Sequence, residues 1–242
     1  LLIARNQLLE LNKNLEKIIE ERTLKLSETI KTKDKFFSIL AHDLRNPFVG
    51  LIGVTELLHT DIESLEKSEI IKFAEIINKA ANNIYELLTN LLKWGNIQRG
   101  TIKIEPKIID ASASVTKSIQ LLENSIKNKN LSIYNNIPPE TGIYADSTLL
   151  DSIIQNILTN AIKFTPKNGN INISAQPLNQ TTKILIADSG IGMTQQTVNK
   201  IFNLENISST HGTENEQGTG LGLILCKEMI EKLSGNIKIN SA

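Results

Sequence analysis

The chain has 242 residues, 40% of them hydrophobic, which is enough for one large or two small globular domains with real cores. Its formal net charge is zero, so nothing global favours nucleic acid or an anionic membrane surface, and its single cysteine, Cys226, excludes an internal disulfide. No run approaches the roughly 18 uncharged apolar residues of a membrane span, and no secretory leader is visible.

The sequence opens on Leu1-Leu2-Ile3-Ala4 in what already reads as helix, so further sequence is expected upstream. Residues 6 to 60 read as one very long helix with no Gly or Pro before Pro47. Its early seam, Leu8, Leu11, Leu15 and Ile18, loses register around Glu20-Glu21-Arg22 and resumes at Leu26 and Ile30, as at a skip in a coiled coil. A second seam runs Phe37, Leu40, Leu44, Pro47, Leu51, Val54, Leu58 in 4/3 spacing. With Phe37 at heptad position a and Leu40 at d, His42 falls at f, farthest from the seam. Asn46 lies one turn on, on the same face. Pro47 has no N–H for the carbonyl of Asp43, so a bend beside His42 is expected. An exposed imidazole next to the Asp43 carboxylate is placed to meet something from outside. His59 and His211 have no such neighbour and read as solvated bystanders.

Residues 61–68 break the seam. A second helix then repeats Ile70, Phe73, Ile77, Ala80, Ile84, Leu87, Leu91 and Trp94 in heptads. Two such helices make an antiparallel hairpin, and one hairpin cannot cover both stripes. A homodimer forming a four-helix bundle is the expected solution. Gly95 and Gly100 are expected to end the helix and open a linker. Beyond residue 101 the pattern predicts strands near 101–105, 131–136, 170–176, 182–188 and 236–240, and helices near 112–128, 146–164, 194–201 and 219–233. This mixture predicts an α+β sandwich with helices on one face of a mixed sheet. Residues 203–217 are polar and aperiodic, the pattern of a functional or mobile loop. Cys226, in an apolar helical stretch, reads as a small core residue.

Three constellations in this second half can carry chemistry. In the helix at 146–164, Asn156 and Asn160 share a face with Lys163 nearby. Amide oxygens can complete the oxygen shell of Mg²⁺, and Lys163 can neutralise phosphate. A solvated polar face would look the same. The strand at 182–188 ends in Asp188-Ser189-Gly190-Ile191-Gly192-Met193. A buried carboxylate there can accept from an exocyclic amine such as that of adenine, while glycines allow close approach to a planar ring. A capped Gly-rich turn is the plain alternative. Gly218-Thr219-Gly220-Leu221-Gly222-Leu223 opens a helix, whose N–H groups suit phosphate. It is neither a dinucleotide fingerprint nor a P-loop, and by itself it is an ordinary helix start.

Taken together and in this order, the segments resemble the cytoplasmic kinase core of a bacterial-type sensor histidine kinase of two-component systems. Phe36 to Pro47 resembles the H box, Asn156 to Phe164 the N box, Asp188 to Met193 the G1 box, Ile201-Phe202 the F box, and Gly218 to Leu223 the G2 box. The resemblance implies a signalling coiled coil (1–32), a dimerisation and phosphotransfer hairpin (33–96), a linker (97–104) and a Bergerat-type ATP-binding sandwich (105–242). It implies ATP and Mg²⁺ as cofactors, His42 as phosphoacceptor, Asp43 as its orienting base, and Asn46 as the residue that positions water in regulator dephosphorylation. Attack needs the neutral imidazole, so the rate should fall in acid. Asn160, helped by Asn156, would hold Mg²⁺, Lys163 would meet phosphate, Phe164 would lie near the purine, and Asp188 would read the adenine amine. Gly190 and Gly192 would shape the base pocket. Gly218, Gly220, Leu221 and Gly222 would close on phosphate, with 203–217 as a mobile lid. The implied partners are a second copy, a response-regulator receiver domain and an upstream sensor, with membrane attachment through upstream segments only and no nucleic acid. The implied location is the cytoplasmic part of an inner-membrane sensor. The family also continues its sheet past residues 235–242, so a bare sheet edge is expected here. Two other readings compete: an ATPase of the chaperone or topoisomerase kind, against which the His42 segment argues, and a dimeric scaffold that binds ATP without using it.

Overall fold

A computed structural model of the chain describes residues 2–99, 103–179, 181–202, 212–214, 216 and 220–241. Most of the expected lid, His211, Gly218 and the Trp94 side chain lie outside the described residues. The chain divides into two compact units, Leu1–Asn46 and Pro47–Ala242.

The first unit is a single helical rod, the opening three-quarters of α1 (Leu2–Asp61). Helix continues through Glu20–Arg22, where the seam loses register. Leu11, Leu15, Ile18, Leu26 and Ile30 are all exposed. A stripe of this kind gains stability only by packing on another helix. The described helix also passes through Pro47 without a break.

In the second unit the end of α1 leads through residues 62–66 into α2 (Lys67–Gln98). The Glu69 carboxylate reaches back to accept the Glu66 N–H at 3.0 Å, which satisfies one of the orphan donors of the first turn. Gly95 does not stop α2, contrary to expectation. A glycine inside a helix costs about 1 kcal/mol but breaks no hydrogen bond. Here its carbonyl accepts both the N–H (3.1 Å) and the Nε–H (3.2 Å) of Arg99. Along the predicted seam Ala80, Ile84 and Leu87 are buried, while Phe73 and Ile77 remain half-buried.

The rest of the second unit runs β1 (Lys107–Asp110), α3 (Ala111–Leu121), α4 (Glu123–Asn128), β2 (Ser132–Asn135), β3 (Gly142–Ala145), α5 (Ser147–Phe164), β4 (Asn170–Leu178), β5 (Thr181–Asp188), α6 (Gln195–Lys200) and α7 (Gly222–Lys232). β1 and β3 pair antiparallel, with Ile108 opposite Tyr144. β2 runs parallel to β4, and β4 antiparallel to β5, with Ile173 opposite Ile186. The strands form two sheets, β1-β3 and β2-β4-β5, which with α3 and α5 enclose a core. Val115 of α3, Ile154 and Leu158 of α5, and Ile171 and Ile173 of β4 are at most 2% exposed. Each such side chain contributes roughly 1.5–3 kcal/mol by leaving water. Cys226, Leu225 and Met229 bury α7, which packs on α5, with the Cys226 Sγ 3.8 Å from the Ile153 carbonyl.

Three predicted elements differ, and one strand was not predicted. The strand expected at 101–105 forms instead at 107–110, where it can pair with β3. β3 itself, only four residues long, has too little alternation to be seen in sequence. The helix expected over 112–128 is two helices parted at Leu122, whose N–H is shared between Ser118 and Ile119 carbonyls. Residues 236–240 alternate like a strand but pair with none among the described residues. No described helix is long and apolar enough to cross a membrane.

Candidate functional site

His42 lies in the first unit, its side chain 69% exposed. Its Nδ1 sits 3.1 Å from Oδ1 of Asp43. A carboxylate only accepts, so in the neutral ring this contact favours the proton on Nδ1 and leaves the lone pair on Nε2. Asn46 is exposed one helical turn further on. The sequence-predicted arrangement of these three residues is therefore present in the first unit.

The remaining predicted residues belong to the second unit and gather around α5. Asp146 starts this helix by accepting the N–H groups of Thr148 (2.9 Å) and Leu149 (3.1 Å) on Oδ1. Its Oδ2 accepts the Glu105 N–H at 3.0 Å. These donors, Glu105 foremost, hold the Asp146 carboxyl below its ordinary value. Seven buried apolar residues fix the inner stripe of α5, from Leu149 to Ile162. Asn156, Asn160, Lys163 and Phe164 are thereby left half-buried at its margin. Asn156 donates Nδ2–H to the Ser152 carbonyl at 3.0 Å, which turns its amide oxygen outward.

That oxygen faces the start of α7. A Cβ placed on Gly222 would lie 3.4 Å from Asn156 Oδ1 and 4.0 Å from Asn160 Nδ2. Leu221, 3% exposed, anchors the turn, and Gly220 takes a φ of 68°, which suits glycine. The second glycine-rich turn meets the other end of the helix. Ile191 N–H donates to the Phe164 carbonyl at 3.2 Å, and a Cβ on Gly190 would come within 2.8 Å of that same oxygen. Gly192 has a φ of 67°. The structure corrects one expectation here. Asp188 is not buried; it lies exposed beyond the last covered residue of β5, its Oδ1 taking the Gly190 N–H at 2.9 Å. In the Ile201-Phe202 pair, the Phe202 ring centroid is 5.9 Å from Lys227 Nζ.

The Lys163 Nζ stands 4.7 Å from the centroid of the Phe164 ring, in cation–π range. Desolvation pushes its ammonium below the ordinary lysine value, and the carboxylates of Glu216 and Glu86 oppose that fall. Sequence reasoning missed the group beneath it. Lys129 is 4% exposed, with its Nζ 2.8 Å from the Lys163 carbonyl and 2.6 Å from Glu216 Oε1. In a polar run of Lys and Asn, nothing in spacing distinguishes it from a solvated turn lysine.

Among the described residues no cluster of three or more His, Cys, Asp or Glu could hold a metal. Beside Gly222 the oxygen on offer is the neutral amide oxygen of Asn156, with the Asn160 amide next to it. Such a set suits a hard cation that brings most of its own ligands as water and phosphate.

Residues 32–100 match the family of the His Kinase A (phospho-acceptor) domain. Residues 145–242 match the family described as histidine kinase-, DNA gyrase B- and HSP90-like ATPase. The signal transduction histidine-protein kinase BarA of Escherichia coli is 29% identical over 227 residues, 88% of this chain and 24% of that protein. The autoinducer 2 sensor kinase/phosphatase LuxQ of Vibrio vulnificus is 26% identical over 222 residues, again 88% of this chain and 25% of that protein. The chain thus spans about a quarter of the length of these relatives. Histidine kinase ThkA, solved in complex with response regulator protein TrrA, shares the fold at a TM-score of 0.67 and 21% identity, over 89% of this chain and 61% of that one. An exposed histidine on a long helix, followed by an α/β domain whose asparagines face a glycine-led helix, agrees with both family matches: the chain belongs to the sensor histidine kinases of two-component systems.

Proposed function

We propose that the chain transfers the γ-phosphoryl group of ATP to Nε2 of His42 and passes it on to an aspartate of a response regulator. The observation that carries this reading is the His42–Asp43 contact on an exposed helix face. Asp43 holds the Nδ1 proton, so the Nε2 lone pair attacks phosphorus. The bond from phosphorus to the bridging oxygen breaks as the N–P bond forms, and ADP leaves. Nδ1–H stays with Asp43, which balances the positive charge on the phosphorylated ring.

In the second unit, the amide oxygens of Asn156 and Asn160 would hold Mg²⁺ against the phosphates, supplying charge neutralisation there. Lys163 adds a cation on the same side. Gly220, Leu221 and Gly222 present the start of α7 to phosphate, and Gly218 is assigned to the same role by its place in the sequence. Asp188 is open to the adenine amine, with Gly190 and Gly192 keeping the backbone low beside the ring and Phe164 near the purine. Phosphoryl transfer asks chiefly for such positioning and electrostatics. The exposed stripe of α1 and the half-covered seam of α2 support a homodimer built as a four-helix bundle. Input from an upstream sensor would then arrive along α1, with any membrane anchor lying upstream as well. Asn46, beside His42, is assigned the water-positioning role in dephosphorylating the regulator, an activity that the name of LuxQ also carries. The relative solved with a regulator supports a receiver domain as the partner.

The test is autophosphorylation with γ-labelled ATP and Mg²⁺, comparing the chain with His42→Gln. Acid-labile, base-stable label that vanishes in His42→Gln is the expected result. Label that persists in the variant, or steady ATP hydrolysis without label, would overturn the reading.

A further inference from the structure

Lys129 closes α4, and its side chain is 6% exposed. A buried ammonium is expensive unless every proton finds an acceptor. This one is surrounded by oxygens. Its Nζ lies 2.9 Å from the Ile162 carbonyl, 2.8 Å from that of Lys163 and 3.2 Å from that of Thr165. It also reaches Thr213 Oγ1 at 2.7 Å and Glu216 Oε1 at 2.6 Å. The three carbonyls are those that the end of a helix leaves without intrahelical partners, where a cation is favoured. Thr213 and Glu216 come from a stretch of chain more than 80 residues away in sequence.

The same stretch is clasped to α5 through its backbone. Thr213 N–H donates to the Lys163 carbonyl at 3.1 Å, and Gly212 N–H to the Glu216 carbonyl at 2.8 Å. A Cβ on Gly212 would collide with Glu216 Oε2 and lie 2.7 Å from the Lys163 carbonyl. Glu214 N–H donates to the second Glu216 oxygen at 2.8 Å. Burial pushes the Glu216 carboxyl up, but the Lys129 ammonium and these N–H groups outweigh it and hold it ionised. Gly212, Thr213, Glu214 and Glu216 are thus bonded to one another and to the end of α5, and Lys129 is the pin that joins them. The carbonyl of Lys163, whose ammonium stands over the Phe164 ring, is one of the oxygens the pin holds.

We propose that Lys129 is a positioning residue for nucleotide binding. By joining the last turn of α5 to Thr213 and Glu216, it fixes where Lys163 and Phe164 stand and so sets affinity for ATP rather than the rate of phosphoryl transfer. The inference rests on the reading of this cradle as a nucleotide site.

The experiment uses the whole chain and two mild variants, Thr213→Val and Glu216→Gln, beside Lys129→Met. Titration with a non-hydrolysable ATP analogue gives Kd, and labelling of His42 gives KM and kcat. Loss of one charge-assisted hydrogen bond should weaken Kd and raise KM by about tenfold in Glu216→Gln, with kcat within twofold of the parent. In the Lys129→Met background the Glu216→Gln change should add nothing further, because its partner is gone. Unchanged Kd in both mild variants, or a fall in kcat with KM intact, would overturn the inference. If the parent chain binds no nucleotide, the reading of the cradle fails and this inference with it; normal binding by the parent with unmoved variants sinks this inference alone.

Discussion

At His42, one neighbouring side chain touches the ring, and the proposed chemistry depends on it. Asp43 is 27% exposed, and its Oδ1 lies close enough to Nδ1 of the ring to orient it. Asp43→Asn retains size but can present an N–H to Nδ1, which favours the wrong tautomer and buries the useful lone pair. Labelling of His42 should then slow by about 10²-fold. KM for ATP should not move, because Asp43 belongs to the helical unit and the nucleotide cradle to the other. A rise in KM with kcat intact would contradict the orienting role. The sequence was readable at this scale because heptad arithmetic places His42, Asp43 and Asn46 on a helix surface without tertiary knowledge. It was not readable at Lys129, whose surroundings are assembled by α5 and by residues 212–216, both distant in sequence.

Among the elements, α5 positions most of the second site, and its start depends on Asp146. That carboxylate satisfies two N–H groups of its own helix and one of Glu105, before β1. Asp146→Ala should cost about 1 kcal/mol of stability, read from denaturant unfolding at neutral pH. The sign of its pH dependence follows from the lowered folded-state value. A carboxyl held below its unfolded value contributes fully above the unfolded value and loses its contribution as pH falls through the folded one. The gap between parent and variant should therefore be widest at neutral pH and close in acid. A gap that stays constant into acid would mean that the charge is not what caps the helix. α5 was legible in sequence because its apolar residues recur at helical spacing over eighteen positions. β3 was not, because four residues carry almost no period, and its pairing with β1 is decided by the chain around it. The C-terminal alternation misled for the converse reason: pattern makes a strand possible, but only a paired neighbour makes one.

For the molecule as a whole, order of segments carried more information than any one of them. Each glycine-rich turn had an ordinary alternative, and so did the polar face of α5. Their conjunction carried the resemblance, and in the structure Gly222 comes to rest beside Asn156 and Gly190 beside the end of the same helix. The expected helical region followed by an α/β domain is the architecture observed. Burial of Asp188 was misjudged, since strand alternation says which face a residue takes but not whether anything covers its end.

The lone cysteine makes this assembly observable. Cys226 is fully buried on α7, and desolvation pushes its thiol up to about 12. Such a thiol is inert to alkylating reagents until α7 lifts from α5. Lifting α7 also removes Gly222 from Asn156, so the motion that uncovers the sulfur dismantles that end of the proposed nucleotide cradle. The rate of thiol modification is therefore a clock for how often the nucleotide cradle comes apart. With ATP at about 100 times its Kd, that clock should run about 100-fold slower. Equal rates with and without nucleotide would mean that α7 opens independently of the ligand. The chain needs no added label for this measurement, since its only sulfhydryl already lies beneath the hinge of interest.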